Sequence, residues 1–120
     1  MSAPVTPAQE SAFVQAQVAN IRDAVIPLAE YDTFIGGVVE EGRGLAEHLA
    51  ATTARAQGDA AAAGAALIRA AATLGAIAEQ VREDGVSNGN ELAVASNVVS
   101  VAAYFLIDGA QTAQDAEAGR

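Results

Sequence analysis

The sequence contains no cysteine, no tryptophan and no lysine, and its only histidine is His48. Without cysteine the chain forms no disulfide, no cysteine-ligated zinc site and no catalytic thiolate. The single histidine has no cysteine partner, and the serines and threonines fall in predicted turns or alanine-rich helices, so no nucleophile is flanked by a base. These absences exclude several classes of enzyme and leave the redox compartment undetermined.

Positive charge is also scarce. The chain has six arginines, spread singly along it, and 15 acidic residues, so its formal net charge is −9. Nucleic acid is bound through a basic face, and an anionic membrane surface through a basic amphipathic helix. The sequence has neither feature, so we expect no nucleic-acid partner, and we interpret the acidity as a source of solubility.

Long hydrophobic runs are missing as well. The longest mostly apolar stretch, residues 92–107, has 16 residues and is interrupted by Ser96, Asn97 and Ser100. A membrane-spanning helix needs roughly 20 apolar residues, so the sequence predicts no membrane span. The first residues, MSAPVTPAQE, lack the basic and apolar regions of a signal peptide. The sequence leaves the localisation undetermined between the cytoplasm and a protein particle.

What the sequence does contain is alanine, which accounts for 31 of the 120 residues. Alanine has the highest intrinsic helix propensity, and strand-type alternation is hard to find. A chain of this length has room for a single core. We predict an all-α protein, an antiparallel bundle of about four helices, with one domain over residues 1–109 and a polar C-terminal tail over residues 110–120.

The first helix has the clearest pattern. Thr6 and Gln9 have the spacing of a capping box at its start. Pro27 lacks the amide that continues a helix, so we expect a kink or an end there. One apolar seam with heptad spacing runs along the helix: Val14, Val18, Ile21, Val25 and Leu28.

The second helix is predicted from Asp32, as its cap, to about residue 56. Four glycines interrupt it: Gly36, Gly37, Gly42 and Gly44. Each costs about 1 kcal/mol relative to alanine, so either packing compensates through close helix contacts or the helix is broken. A phosphate-binding loop is disfavoured, because FIGGVVEEGRG lacks the Lys and Ser/Thr of that motif and carries two glutamates.

The third helix is predicted from the cap Asp59 to about residue 84, where Gly85 ends it. Its small side chains allow close approach on more than one side, so we expect it to be central. A turn over residues 84–91 follows, in which Asn88 and Glu91 have capping-box spacing. The fourth helix then runs from about residue 89 to 108 and stops at Gly109.

This fourth helix carries VAAYFLID and is apolar around much of its circumference. Such a helix is either enclosed or shared with another chain. We favour a face that meets another chain, with an ordinary core helix or a strand as the alternatives. The predicted interaction surface is Val94, Val98, Val101, Tyr104, Phe105, Leu106 and Ile107.

Tyr104 and Asp108 also form a Tyr-x-x-x-Asp pattern. This pattern resembles the export signal that follows the helical hairpin of type VII secretion substrates, the WXG100 and related families. Five residues carry the resemblance, and the Trp-x-Gly turn of those families has no counterpart here because the chain has no tryptophan. The resemblance implies a small helical secretion substrate as an alternative function.

Candidate catalytic and metal-binding groups are few. His48 lies near Glu41 and Glu47 in sequence but lacks the Glu-x-x-His spacing of di-iron bundles. Three acidic residues at the end of the predicted third helix lack the alternating ligands of a calcium-binding loop: Glu79, Glu83 and Asp84. We therefore expect no enzyme activity, no catalytic residues, no metal and no cofactor, and we regard a small-molecule ligand as disfavoured.

The sequence as a whole predicts a non-catalytic structural or assembly subunit. It would act through helix-mediated self-association as a homo-oligomer, or within a larger particle such as a virion. A secretion substrate and a ligand-binding helical bundle stay open as alternatives.

Overall fold

The computed structural model describes residues 7–119, with side chains from residue 12 onward, and within them every regular element is helical. Four long helices follow one another: α1 (Pro7–Asn20), α2 (Thr33–Arg55), α3 (Ala60–Glu83) and α4 (Asn90–Ala118). They pack side by side as a bundle. The predicted all-α class and four-helix architecture are confirmed.

Between α1 and α2 the chain stays helical but changes its hydrogen-bond spacing near Pro27. Residues Ile21–Val25 form a π-helical turn, which ends with the Ile26 amide donating to the Ile21 carbonyl five residues earlier. A short α-helical segment, Ile26–Leu28, follows it. Because Pro27 has no amide hydrogen, the normal α-helical ladder cannot continue through it. The irregularity predicted near Pro27 therefore takes the form of a π turn followed by the end of the helix.

Two of the predicted helix caps are confirmed. Asp32 Oδ1 accepts a hydrogen bond from the Ile35 amide at 3.0 Å and so begins α2. Asp59 Oδ1 accepts from the amides of Ala61 and Ala62, at 2.9 and 3.3 Å, and begins α3. Each carboxylate satisfies backbone donors that have no partner within the first helical turn.

The start of α4 differs from the predicted capping box. The residue before the helix is Gly89, which has a positive φ of 74° and makes no side-chain cap. Asn88 Oδ1 instead accepts from the Asn90 amide at 3.0 Å. Glycine is required here, because a Cβ at residue 89 would lie 2.6 Å from the Ala78 carbonyl oxygen. The predicted Thr6 cap lies outside the described residues.

The end of α4 also differs from the prediction. The helix does not stop at Gly109 but continues to Ala118, through residues that are mostly alanine, glutamine and acidic. Alanine, glutamine and glutamate have high helix propensity, which outweighs the single glycine. These residues are almost all exposed, and the division into a bundle domain and a polar tail at residue 110 stays a prediction.

Helix α4, rather than α3, lies at the centre of the bundle. Its residues 101–107 are all buried except the partly buried Phe105, and Ala102 and Ala103 have no exposed surface. The exposed surface of α3 is extensive by comparison. The sequence placed α3 at the centre because its side chains are small, but α4 carries the larger apolar side chains that burial stabilises most.

The directions of the helices follow from their contacts. Helix α3 is antiparallel to α4: Gly64 lies against Ile107, while further along α3 the Ala71 carbonyl accepts from Ser96 Oγ at 2.7 Å. Helix α2 is parallel to α4, because Gly42 lies against Val101 and Ala46 packs with Leu106. The start of α2, the end of α3 and the start of α4 therefore lie at the same end of the bundle.

Helix α2 is continuous, and one of its glycines has a clear structural reason. A Cβ at Gly42 would lie 2.6 Å from Val101 Cγ1, and one at Gly64 of α3 would lie 2.6 Å from Ile107 Cγ1 and 3.0 Å from the Ala103 carbonyl oxygen. By contrast, a Cβ at Gly37 or Gly44 would meet nothing within 4 Å. Close approach to α4 thus explains Gly42 and Gly64 but not every glycine of the chain.

We predict that Gly42→Ala and Gly64→Ala each lower the free energy of unfolding by about 1–3 kcal/mol, because an extra methyl group overpacks the contact with α4. Gly44→Ala is the matched control on α2 and should raise the free energy of unfolding by up to about 1 kcal/mol through helix propensity alone. Urea denaturation followed by circular dichroism measures all three. Equal effects at residues 42 and 44 would contradict the close approach.

Candidate functional site

The structure places the predicted interaction surface inside the bundle. Four of its seven side chains are buried, those of Val101, Tyr104, Leu106 and Ile107. The other three are partly buried: Val94, Val98 and Phe105. The other helices cover much of the apolar circumference of α4, so four of these side chains are enclosed and three keep part of their surface exposed. Their role in association stays a prediction.

Tyr104 is enclosed beside the π turn at the end of α1. Its ring packs edge-on against that of Phe105, with the ring centres 5.1 Å apart and the planes at 62°. Burial raises the pKa of the Tyr104 phenol, the nearby Asp108 carboxylate raises it further, and Arg22 opposes the increase. Asp108 is exposed, so the two ends of the Tyr-x-x-x-Asp pattern differ in accessibility. The secretion-substrate hypothesis is not tested by this placement.

A groove of about 500 Å³ lies where α2, α3 and α4 meet. We call it the Phe105 groove. The Arg43 guanidinium lies over the Phe105 ring, 4.5 Å from its centre, and small side chains from α2 and α4, including Ala46, Ala50 and Ala113, form much of the lining. Glu47 adds a carboxylate. The groove therefore combines an apolar lining with two charged groups, as small-molecule sites do.

The candidate catalytic and metal-binding groups lie at the surface. His48 is exposed on α2. Glu79 accepts a hydrogen bond from Arg82 at 3.0 Å, and Asp84 accepts one from Gln80 at 3.0 Å. Within residues 7–119 no group of three or more metal-ligating side chains comes together. The expectations of no metal and no catalysis stay predictions.

Large apolar side chains are exposed in the connection between α1 and α2 and in the first turn of α2, a surface that the sequence did not indicate. Leu28 is 48% exposed, Tyr31 86% and Phe34 60%. Ile77 of α3 and Val86, in the α3–α4 connection, are also exposed. Because the start of α2 and the end of α3 lie at the same end of the bundle, these five residues share that end. We call this surface the Tyr31 end.

The exposure of Leu28 has a specific cause. Val14, Val18 and Ile21 are buried as the heptad seam predicts, but Leu28 is not. The π turn adds a residue per turn and rotates the following side chains relative to the α-helical seam. As a result, Ile26 and Ala29 pack against the core in its place. The proline was visible in the sequence, but the π turn that changes the register was not.

Two helices, α3 and α4, are long and apolar enough to cross a membrane, so the prediction of no membrane span was wrong. The prediction considered only the apolar run of residues 92–107. Helix α4 is in fact 29 residues long, and α3 reaches the required hydropathy through its many alanines. Only 17% of the apolar window of α3 and 33% of that of α4 are buried. Length and composition are weak evidence for a span, since buried core helices meet the same criterion. The structure gives no support to the predicted homo-oligomer.

We predict that the Tyr104 phenol titrates above its ordinary pKa of 10.0, because burial and Asp108 oppose its ionisation. Arg22 partly offsets this effect, and Asp23 adds to it. Because the Tyr104 pKa is higher in the folded state than in the unfolded state, the contribution of the neutral phenol to the free energy of unfolding is fully present below the unfolded pKa. That contribution is lost as the pH rises through the folded pKa. Ultraviolet titration of the wild type against Tyr104→Phe isolates this phenol, and an ordinary pKa would contradict its enclosure.

Comparison of the chain with protein-family models, with curated proteins and with solved structures gives no match. Its function therefore has to be argued from its own residues and their geometry.

Proposed function

We propose that this chain is a non-catalytic structural or assembly subunit that acts by binding another protein through the Tyr31 end. The observation that carries the proposal is the exposure of Leu28, Tyr31 and Phe34 within one seven-residue stretch. The chain has only five aromatic residues, and two of them are among these three. Single exposed apolar residues are ordinary, but a group of them with two aromatics is typical of an interaction surface.

The energetics favour contact at this surface. Burying a large apolar side chain contributes about 1.5–3 kcal/mol relative to leaving it exposed. Aromatic side chains, tyrosine above all, are enriched among the residues that dominate interface energies. Tyr31 and Phe34 therefore have the character of anchors for a partner.

The connection that presents these side chains is held in place by its own hydrogen bonds. The amides of Tyr31 and Asp32 both donate to the Leu28 carbonyl at 3.0 Å. The cap from Asp32 to the Ile35 amide fixes the following turn, and Gly36 donates to the Asp32 carbonyl at 2.8 Å. A surface that is ordered before binding loses less conformational entropy when the partner arrives.

The test is a photo-crosslinking amino acid placed at Tyr31 in the cells that naturally produce the protein. We expect a covalent adduct with one defined partner, identified by mass spectrometry, and we expect Phe34→Ser to reduce it strongly. The same crosslinker at Thr112, which is exposed at the opposite end, is the control and should give no such adduct. A Tyr31 crosslinker that yields no adduct, or the same adducts as Thr112, would refute the proposal.

A second candidate function is ligand binding, which the volume and lining of the Phe105 groove favour. A ligand that binds the folded state raises the free energy of unfolding by about 2.7 kcal/mol at a hundred times its dissociation constant. We expect a saturable rise in Tm with a small aromatic or alkyl compound, abolished by Ala113→Trp, which fills the groove. Thr112→Trp is the matched control. An unchanged Tm across such compounds would count against this function.

A further inference from the structure

The charge around the Tyr31 end indicates what kind of partner it takes. The two stretches that form this end, residues 26–34 and 79–91, carry six acidic residues and one arginine, a net formal charge of −5. They are Glu30, Asp32, Glu79, Arg82, Glu83, Asp84 and Glu91. All except the partly buried Asp32 are exposed.

The single positive charge at this end is already neutralised. Arg82 Nη1 lies 3.0 Å from Glu79 Oε1, and its Nε donates to the Asn88 carbonyl at 3.1 Å. Asp32 is engaged as the cap of α2. This leaves the carboxylates of Glu30, Glu83 and Glu91, together with that of Asp84, to set the potential around the exposed apolar side chains.

The opposite end of the bundle lacks this combination. The stretches 51–62 and 110–119 carry one arginine and three acidic residues, but they contain no large apolar side chain. Among the described residues at the two ends of the bundle, exposed aromatic residues coincide with uncompensated negative charge only at the Tyr31 end. Complementary charge directs association and excludes partners of the same sign.

We infer that the Tyr31 end docks a basic amphipathic protein segment, whose apolar side chains cover Leu28, Tyr31 and Phe34 while its basic side chains face the surrounding carboxylates. This inference rests on the proposed function and adds the chemistry of the partner. An anionic membrane surface is repelled by the same carboxylates, so a protein segment fits the surface better than a lipid headgroup.

The probe for this inference is a fluorescent amphipathic helical peptide made only of leucine and lysine. A peptide with glutamate in place of every lysine is its charge-reversed control. Binding to the intact protein is measured by fluorescence anisotropy at low and at physiological salt. We expect the lysine peptide to bind, the glutamate peptide not to bind, and the affinity to fall with salt, because the charges involved are exposed.

Three protein variants separate specific docking from diffuse attraction between opposite charges. Tyr31→Ser with Phe34→Ser should weaken binding roughly tenfold or more, as the loss of anchor residues does. Glu30→Gln with Glu83→Gln should weaken binding and flatten its salt dependence. Asp115→Asn with Glu117→Gln removes the same number of charges from the other end. This variant should change neither the affinity for the lysine peptide nor its salt dependence. The mutated side chains are exposed, and a thermal melt of each variant checks that it folds.

Several outcomes would overturn the inference. Among them are equal effects of the two charge variants, no effect of the Tyr31 and Phe34 changes, and equal binding of the two peptides. Binding of phosphatidylcholine vesicles that depends on Tyr31 and Phe34, without discrimination between the peptides, would assign the surface to lipid instead. A specific Tyr31 crosslink without lysine-peptide binding would retain the proposed function and reject a basic partner, whereas loss of both results would reject both proposals.

Discussion

The close approach of α2 and α3 to the central helix α4 is the constraint on which the rest of the structure depends. At Gly42 and Gly64 there is no room for a methyl group, because Val101 and Ile107 of α4 already occupy that space. Glycine lowers the intrinsic stability of a helix. Here it lets two helices approach α4 closely enough to bury Val101, Tyr104, Leu106 and Ile107. Dispersion and hydrophobic contacts along the seam then offset the lost helix propensity.

This constraint also determines which surfaces remain for function. Most of the stretch VAAYFLID is buried against the other helices, whereas Phe105 is partly buried and Asp108 is exposed. Among the described residues, five of the six exposed large apolar side chains lie at the Tyr31 end, and the sixth is Phe13 of α1. Leu28 is exposed because the π turn after α1 rotates it away from the core. A local change of hydrogen-bond spacing thus moves a residue from the predicted seam to the surface.

The alanine-rich and glycine-containing composition of α3 and α4 has two physical consequences. Alanine and glycine permit close contact between helices. Because alanine is also apolar, a long helix rich in it can meet the length and hydropathy of a membrane span, as α3 and α4 do. In the bundle, the large side chains of α4 pack inward, as in a core helix. The exposed face of α3 includes five alanines and Ile77 beside its polar residues, so the apolar character of this helix is not explained by burial alone.

The sequence by itself determined the helical class, the number of helices and the caps at Asp32 and Asp59, because helix propensity and capping are local properties. It also identified the buried seam of Val14, Val18 and Ile21, which depends on helical periodicity alone. Only the tertiary structure decided that α4 is central, that Gly42 and Gly64 face it, and that Leu28, Tyr31 and Phe34 stay exposed at one end. Those features depend on which helix packs against which and on the register after the π turn, and both are set by contacts between residues far apart in the chain.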